Sequence, residues 1–358
     1  MDFLFPDSKR GFKMSKIDIK SMNMQELCEY IEASGEKKFR AKQIYEWLHR
    51  KLVTDFDDMS NLPKSLRDRL KEECYIAKLE AAEVLTSKLD GTQKYLFRLE
   101  DGNVIESVLM KYKFGNSVCI STQVGCRMGC RFCASTLDGL ERCLTTSEML
   151  DEIYRIQSST GERVSNIVLM GTGEPMDNYD NVLKFVKMIT DENGLHISQR
   201  NITISSCGLI ENIKRLADEQ LQITLALSLH ASDDETRKSL MPIANKYSIS
   251  EILDTCDYYF RKTGRRVTFE YSLVAGVNET KDEADRLGRL LKNMHGHVNL
   301  IPVNPIKERE YKQSDKKAIM DFKKQLESYG INVTVRREMG RDIDGACGQL
   351  RKRYMDEN

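Results

Sequence analysis

The most informative stretch of the chain is SVCISTQVGCRMGCRFCASTLDGL, residues 117–140. It opens as an apolar strand and then places Cys126, Cys130 and Cys133 in a C-x3-C-x2-C pattern. Three thiolates on one loop suit a soft metal, and Gly125 before the first cysteine and Gly129 before the second let the backbone wrap closely. A zinc ribbon would require a fourth ligand, usually from a second C-x2-C pair, which the sequence lacks. The pattern favours an iron–sulfur cluster in which three cysteines leave one iron open.

From this stretch to the end, strand-like and helix-like segments alternate. The strand-like segments are SVCISTQ, SNIVLMG, NITISS, ITLALSLH, RVTFEYSLV, HVNLIPVN and INVTVRR. The helix-like segments between them are TSEMLDEIYRIQ, NVLKFVKMIT, IKRLADEQ, ISEILDTCDYYFRK, KDEADRLGRLLKNM and KKAIMDFKKQLESYG. Repeated units of this kind predict a parallel sheet, closed or partly closed, with its chemistry at the carboxyl ends of the strands.

Before this stretch, the chain changes character twice. The first segment has apolar residues at helical spacing, and the next has two Asp-Gly pairs between strand-like runs, which is typical of β-hairpins. We therefore predict four parts: a helical accessory domain (1–78), a β-meander extension or linker (79–114), a barrel (115–340) and a C-terminal segment (341–358).

Composition narrows the class of protein. Of the 358 residues, 40% are hydrophobic and 31% charged, and 55 basic side chains balance 55 acidic ones. This excludes a small, strongly basic nucleic-acid binder. No stretch approaches the roughly 20 apolar residues of a membrane helix, and the start lacks the pattern of a signal peptide. We expect a cytoplasmic protein that does not associate with a membrane. In such a protein, ten cysteines indicate metal or thiol chemistry rather than a disulfide scaffold.

The three cysteines resemble those of the radical S-adenosylmethionine superfamily. This resemblance implies a partial (β/α)6 barrel and a [4Fe–4S] cluster whose open iron binds the amino and carboxylate groups of S-adenosylmethionine. In the GTGEP turn (171–175), Gly173 would allow close approach of the backbone and Glu174 would receive the cofactor's amino group. Groups at later strand ends suit a ribose and an adenine, and they come from Ser205, Ser228, Leu229, His230 and Asn304.

The last segment narrows the resemblance to one family. RREMGRDIDGACGQLR (336–351), together with VIESVL (104–109) and the cysteine loop, resembles the RlmN/Cfr family of radical RNA adenine methyltransferases. The resemblance runs nearly the full length of the chain, from the KFRAKQIYEWL helix (38–48) onward. STQVGC and CASTLDGL are more similar to the RlmN branch, which methylates carbon 2 of adenine, than to the Cfr branch, which methylates carbon 8.

The resemblance implies a mechanism with two molecules of S-adenosylmethionine. The first methylates Cys347, and the second yields a radical that takes hydrogen from this methyl group. The thiomethylene radical then adds to carbon 2 and links RNA to protein. Cys119 matches the resolving thiol, which releases the product by forming a disulfide with Cys347, and Glu106 matches the base that takes the carbon 2 proton.

The resemblance also implies the partners. The substrates would be an adenosine in the peptidyl-transferase centre of 23S rRNA and the adenosine beside the tRNA anticodon. An electron donor such as flavodoxin or ferredoxin would reduce the cluster. The enzyme would be a monomer. Two alternatives stay open: methylation of carbon 8 by the same chemistry, and a non-catalytic RNA-binding protein whose fold is stabilised by a bound metal.

Overall fold

A computed structural model describes residues 16–304, 308–343, 350–351 and 353–354. The chain divides into two compact units, Met1–Ala77 and Lys78–Asn358. Within the described ranges, we find no helix that is long and apolar enough to cross a membrane.

The first unit is a small helical bundle. Its elements are β1 (Ile17–Asp18), α1 (Met24–Ala33), α2 (Phe39–His49), α3 (Lys64–Glu73) and β2 (Cys74–Tyr75), with β1 and β2 paired in parallel. A capping box begins α1, in which Asn23 accepts from the Glu26 amide and the Glu26 side chain accepts from the Asn23 amide. Apolar residues at helical spacing form the core, for example Leu27 and Ile31 of α1.

The second unit is built on a long sheet. Its strands are β3 (Glu80–Thr86), β4 (Gln93–Arg98), β5 (Val104–Tyr112), β6 (Gly115–Cys119), β7 (Gln123–Gly125), β8 (Leu140–Cys143), β9 (Val164–Leu169), β10 (Ile202–Ser206), β11 (Thr224–Ser228), β12 (Val267–Leu273), β13 (Gly296–Pro302) and β14 (Val333–Val335). Ten of them form one sheet in the order β14-β13-β12-β11-β10-β9-β6-β5-β4-β3, and β7 and β8 form a separate hairpin.

Helices connect the parallel strands from β6 through β14. They are α4 (Thr146–Thr160), α5 (Tyr179–Ile189), α6 (Ile210–Asp218), α7 (Asp234–Leu240), α8 (Ile249–Thr263), α9 (Lys281–Leu291) and α10 (Lys316–Ser328). The seven strands β6 and β9–β14 pair in parallel, each with the next strand of this series, and six crossovers join them. This arrangement confirms the predicted partial (β/α)6 barrel. Parallel strands bring their carboxyl ends to one edge, where most of the predicted cofactor-binding residues lie.

The β-meander continues the barrel sheet. Strands β3 to β6 pair antiparallel, and β6 is also the first parallel strand of the barrel. Val108 of β5 is the ladder partner of Cys119 on β6. The meander therefore places β5 directly beside the first barrel strand and β4 next to β5, although the sequence suggested only a linker or an extension.

Candidate functional site

The cysteine loop is held by the β7–β8 hairpin. Gly125, at the end of β7, has a φ of +75°, and a Cβ atom there would lie 2.0 Å from the Gly139 carbonyl oxygen. This carbonyl accepts a hydrogen bond of 2.7 Å from the Cys126 amide. On the far side of the loop, the Arg131 amide donates to the carbonyl of Leu240 at the end of α7. The chain can turn into the loop only because position 125 has no side chain.

The three cysteines line one cavity of about 240 Å³ at the carboxyl edge of the sheet. Burial raises the pKa of the Cys126 thiol to about 12 and raises the pKa of Cys130 and Cys133 as well. Among the residues that the structure describes, no three His, Cys, Asp or Glu side chains are gathered closely enough to hold one metal ion. The three thiols share the wall of the cavity instead.

This set of donors fits an iron–sulfur cluster. Thiolates are the ligands of such clusters, and each cysteine binds a different iron, so that the thiols surround the cluster rather than one ion. Apolar side chains from Met128, Phe132 and Met241 line the same cavity. An apolar shell of this kind limits access of water to a metal centre.

The glycine-rich turn after β9 forms the next part of the wall. Gly173 has a φ of +110°, and a Cβ atom there would lie 2.6 Å from the Cβ of Gln123. Glu174 is buried, and its carboxylate accepts hydrogen bonds from the amides of Met176 and Cys207. Burial raises the pKa of this carboxyl, although the hydrogen bonds act in the opposite direction. A buried carboxylate on a cavity wall is a suitable partner for an ammonium group of a ligand.

Most of the predicted strand-end residues line this cavity. They are Ser205, Ser228, His230 and Asn304, from the ends of β10, β11 and β13. Leu229 is fully buried, and it does not line the cavity. Its backbone carbonyl accepts from the Nε of Arg237, a buried side chain of α7 that also binds the carbonyl of Cys207.

His230 is held in one tautomer. Its backbone has a φ of +58°, which is uncommon for a residue with a side chain. The Ser272 amide donates to Nδ1 over 2.9 Å, so Nδ1 is an acceptor and the proton of the neutral ring is on Nε2. Burial lowers the pKa of the ring to about 3. His230 therefore acts as a neutral hydrogen-bonding group at physiological pH.

The sequence analysis missed two charged residues of the cavity, Glu270 and Arg336. Glu270 lies on β12 between the ladder partners Ser228 and Asn299, and its Oε2 accepts from Asn299 over 3.0 Å. Burial raises the pKa of Glu270, and the charge of Arg336 opposes this shift. A single acidic residue inside the apolar strand RVTFEYSLV was a signal that could have identified Glu270.

Glu106 and Cys119 lie on the same face of the sheet. Cys119 is directly opposite Val108, and Glu106 precedes Val108 by two residues, so the two are diagonal neighbours. Diagonal neighbours across a sheet are about 7–8 Å apart. Both are buried, and burial raises the pKa of the Cys119 thiol to about 11, against the charge of Arg336. The carboxylate of Glu106 forms an ion pair of 3.2 Å with Lys94 on β4.

Cys347 lies outside the described residues, but the chain on both sides of it contacts the meander. Before it, the Gly340 amide donates to Asp90, and Asp342 accepts from Ser87 and from the Lys88 amide. After it, Leu350 is fully buried in a cluster with Leu96 of β4 and Val104 of β5, and the Arg351 amide donates to Oε1 of Glu106. The nine described cysteines, Cys119 among them, are free thiols.

Comparisons with known proteins agree with this architecture. The family model "Ribosomal RNA large subunit methyltransferase N-terminal domain" matches residues 17–76, and the model "Radical SAM superfamily" matches residues 120–291. Two curated relatives carry the name "Probable dual-specificity RNA methyltransferase RlmN". The protein from Lachnospira eligens is 65% identical over 95% of this chain and 97% of its own. The protein from Lachnoclostridium phytofermentans is 63% identical over 96% of both chains.

A solved structure extends the agreement to three dimensions. The crystal structure of a radical SAM methyltransferase from Sphaerobacter thermophilus superposes with a TM-score of 0.89. It is 42% identical and covers 93% of this chain and 98% of its own. These identities over nearly the whole length confirm the predicted family, and they exclude the non-catalytic alternative. The chain therefore belongs to the RlmN family of radical SAM RNA methyltransferases.

Proposed function

We propose that this enzyme converts adenosine to 2-methyladenosine in 23S rRNA and in tRNA, through a methylated Cys347 and a covalent link between RNA and protein. The names of the relatives, which describe dual-specificity RNA methyltransferases, support two RNA substrates. Carbon 2 of adenine is electron-poor and is a weak nucleophile, so it does not displace a methyl group from a sulfonium. Radical chemistry avoids this difficulty.

We assign cofactor binding to the wall of the cavity. Cys126, Cys130 and Cys133 would hold the [4Fe–4S] cluster, and Glu174 would pair with the amino group of S-adenosylmethionine. The turn at Gly173 and the groups at the strand ends would hold the nucleoside part, namely Ser205, Ser228, Leu229 through its backbone, His230 and Asn304. Bound there, cluster and cofactor supply a carbon radical that can take a hydrogen atom.

The observation that carries the proposal is the anchoring of the C-terminal segment on the face that bears Glu106 and Cys119. Leu350 follows Cys347 by three residues, and three residues of chain span at most about 11 Å. The docking of Leu350 on Val104 and the bond from Arg351 to Glu106 therefore support a common site for the three proposed residues.

In this site each residue has one role. Cys347 accepts the first methyl group and, after loss of a hydrogen atom, forms the carbon–carbon bond to carbon 2. Glu106 takes the carbon 2 proton. Cys119 attacks the sulfur of Cys347, which breaks the bond from that sulfur to the methylene carbon and leaves a disulfide. The released methylene group gains a proton and becomes the product methyl group. Because the adduct is a radical, one electron would also leave it, and the cluster held by Cys126, Cys130 and Cys133 would accept that electron.

The remaining partners follow from this chemistry and from the family. A target adenine inside folded RNA must leave its stack to reach the cavity, and residues 1–78 would hold the surrounding RNA. Flavodoxin or ferredoxin would supply electrons, and two molecules of S-adenosylmethionine would be consumed per product. We place the enzyme in the cytoplasm, as a monomer. Methylation at carbon 8 is the second candidate, because the same residues could perform it.

Isotope labelling tests the proposed route. When the methyl group of S-adenosylmethionine carries three deuterium atoms, Cys347 receives CD₃, loses one deuterium atom, and yields a CHD₂ product after protonation by solvent. The expected methyladenosine is therefore two mass units heavier than the unlabelled product. A product three units heavier would show direct methyl transfer and would overturn the role of Cys347.

A further inference from the structure

Lys94 and Glu106 form an ion pair inside the protein. Neither side chain is more than 2% exposed, and their charged atoms, Nζ and Oε2, are 3.2 Å apart. Burying two charges costs more hydration energy than most such pairs recover, and apolar residues of similar size are often as stable. Because one member of this pair is the proposed catalytic carboxylate, the burial of its lysine partner points to a role of Lys94 in the reaction.

The sheet register places Lys94 on the reactive face. Lys94 of β4 is the ladder partner of Val108, which is in turn the partner of Cys119. Side chains opposite one another in a sheet point to the same face, as do residues two apart along a strand. Lys94, Glu106 and Cys119 therefore project from one face, and Lys94 lies on the side of Glu106 that is remote from Cys119.

Both carboxylate oxygens of Glu106 are engaged. Oε2 faces the Lys94 ammonium, and Oε1 accepts a hydrogen bond from the Arg351 amide, four residues after Cys347. A cation at one oxygen and a backbone donor at the other fix the orientation of the carboxylate. The carboxylate is thereby aligned with the segment that carries Cys347.

We infer that Lys94 is the positioning residue for the proposed base Glu106: its ammonium holds the Glu106 carboxylate in the orientation from which it removes the carbon 2 proton. This inference rests on the proposed function of Glu106. In that step the C–H bond at carbon 2 of the radical adduct breaks, its electron pair stays on the adenine, and the proton passes to a carboxylate oxygen of Glu106. The unpaired electron of the adduct would leave to the cluster that Cys126, Cys130 and Cys133 would hold. Lys94 makes no bond to the RNA.

The test separates the steps before and after the covalent link. The full-length, cluster-loaded enzyme is incubated anaerobically with S-adenosylmethionine, a reductant and substrate RNA. Methylated Cys347 peptide, RNA–protein adduct and released methyladenosine are then measured by mass spectrometry and denaturing gels. The variants are Lys94→Met, Lys94→Arg, Glu106→Gln and the matched control Lys111→Met, whose lysine pairs with Glu162 at the surface.

We expect Lys94→Met to methylate Cys347 as the wild type does, and to raise the ratio of adduct to released product at least ten-fold. Glu106→Gln should raise the same ratio. Lys94→Arg keeps a cation in place and should return the ratio to within about three-fold of the wild type, and Lys111→Met should leave it unchanged. A structural role alone would lower methylation of Cys347 together with the product, and it would not trap the adduct.

Three outcomes overturn the inference. If Glu106→Gln traps adduct and Lys94→Met does not, Lys94 has no role in this step. If Glu106→Gln traps no adduct either, the proposed base is wrong and the inference falls with it. Because Lys94→Met removes the cation beside a buried carboxylate and can impair folding, the double variant Lys94→Met/Glu106→Gln removes both charges. It should behave like Glu106→Gln alone, and a further ten-fold loss would contradict action of Lys94 through Glu106.

Discussion

Replacing Gly125 with alanine should remove the cluster while leaving the rest of the fold in place. The control is Gly139→Ala on the same hairpin. The two glycines have nearly equal φ angles, +75° and +72°, so both variants carry the same backbone strain of about 1–2 kcal/mol. They differ in space, because a Cβ at 139 has no heavy atom within 4 Å, whereas a Cβ at 125 lies 2.0 Å from the Gly139 oxygen.

The magnitude follows from this contact. The Gly139 carbonyl must move by about 1 Å to reach even a tight contact, and its hydrogen bond to the Cys126 amide is then lost. An unsatisfied buried amide costs about 1–3 kcal/mol. We therefore expect Gly125→Ala to disfavour the ligand-competent loop by about 2 kcal/mol more than the control, which corresponds to about 30-fold in cluster retention.

The assay is anaerobic reconstitution followed by competition with an iron chelator. Iron and sulfide per chain and visible absorption report the cluster, and thermal unfolding reports the fold. Gly139→Ala should keep its cluster at chelator concentrations that strip Gly125→Ala. Equal retention by the two variants, with both folded, would refute the argument that the close approach at position 125 shapes the loop.

Three further predictions address other parts of the molecule. Leu350→Ala removes a fully buried side chain, which costs about 2–5 kcal/mol, and should undock the C-terminal segment. Hydrogen exchange of the β5 amides should then accelerate, and the yield of methyladenosine should fall at least ten-fold. An unchanged yield would contradict the anchoring. Glu174→Gln removes the negative charge but keeps an acceptor, so calorimetry on the cluster-loaded enzyme should show about ten-fold weaker binding of S-adenosylmethionine, and unchanged affinity would exclude the proposed pairing. Burial lowers the pKa of His49 to about 3, so between pH 6.5 and 3 the unfolded chain binds more protons than the folded chain. The stability that neutral His49 contributes is therefore lost as the pH falls through this window, by at most about 1.4 kcal/mol per pH unit. Fluorescence of Trp47, the single tryptophan, should follow this loss in denaturant titrations. His49→Gln should flatten the dependence of stability on pH, whereas the control His196→Gln, at an exposed position, should not.

Much of the barrel could be predicted because its elements have strong local patterns. The strand-like runs from SVCISTQ to INVTVRR correspond to β6 and β9–β14, since a strand of a parallel sheet that is covered on both faces reads as a continuous apolar run. The helix α7 was not predicted. It has seven residues, and Leu240 is the one large apolar side chain among them, so no amphipathic period is visible.

The site could be predicted where its residues belong to one contiguous motif. It was missed where residues from separate strands come together only in the folded sheet. The cysteine loop and the GTGEP turn are single stretches of sequence, so their presence on one cavity wall follows from the order of the strands. Glu270 and Arg336 belong to β12 and to the chain after β14, and only the folded sheet brings them to the cavity. The ion pair of Lys94 with Glu106 likewise depends on the register of β4 and β5, which sequence patterns define poorly when a strand is buried on both faces.

The most direct measurement is nucleoside mass spectrometry on 23S rRNA and tRNA from a host that lacks its own enzyme. The host would express this protein or its Cys347→Ala variant, with matched expression and cluster content. We predict 2-methyladenosine in both RNAs with the intact protein and none with the variant. Methyladenosine made by the variant would contradict the proposed covalent route, and 8-methyladenosine from the intact protein would contradict the proposed position of methylation.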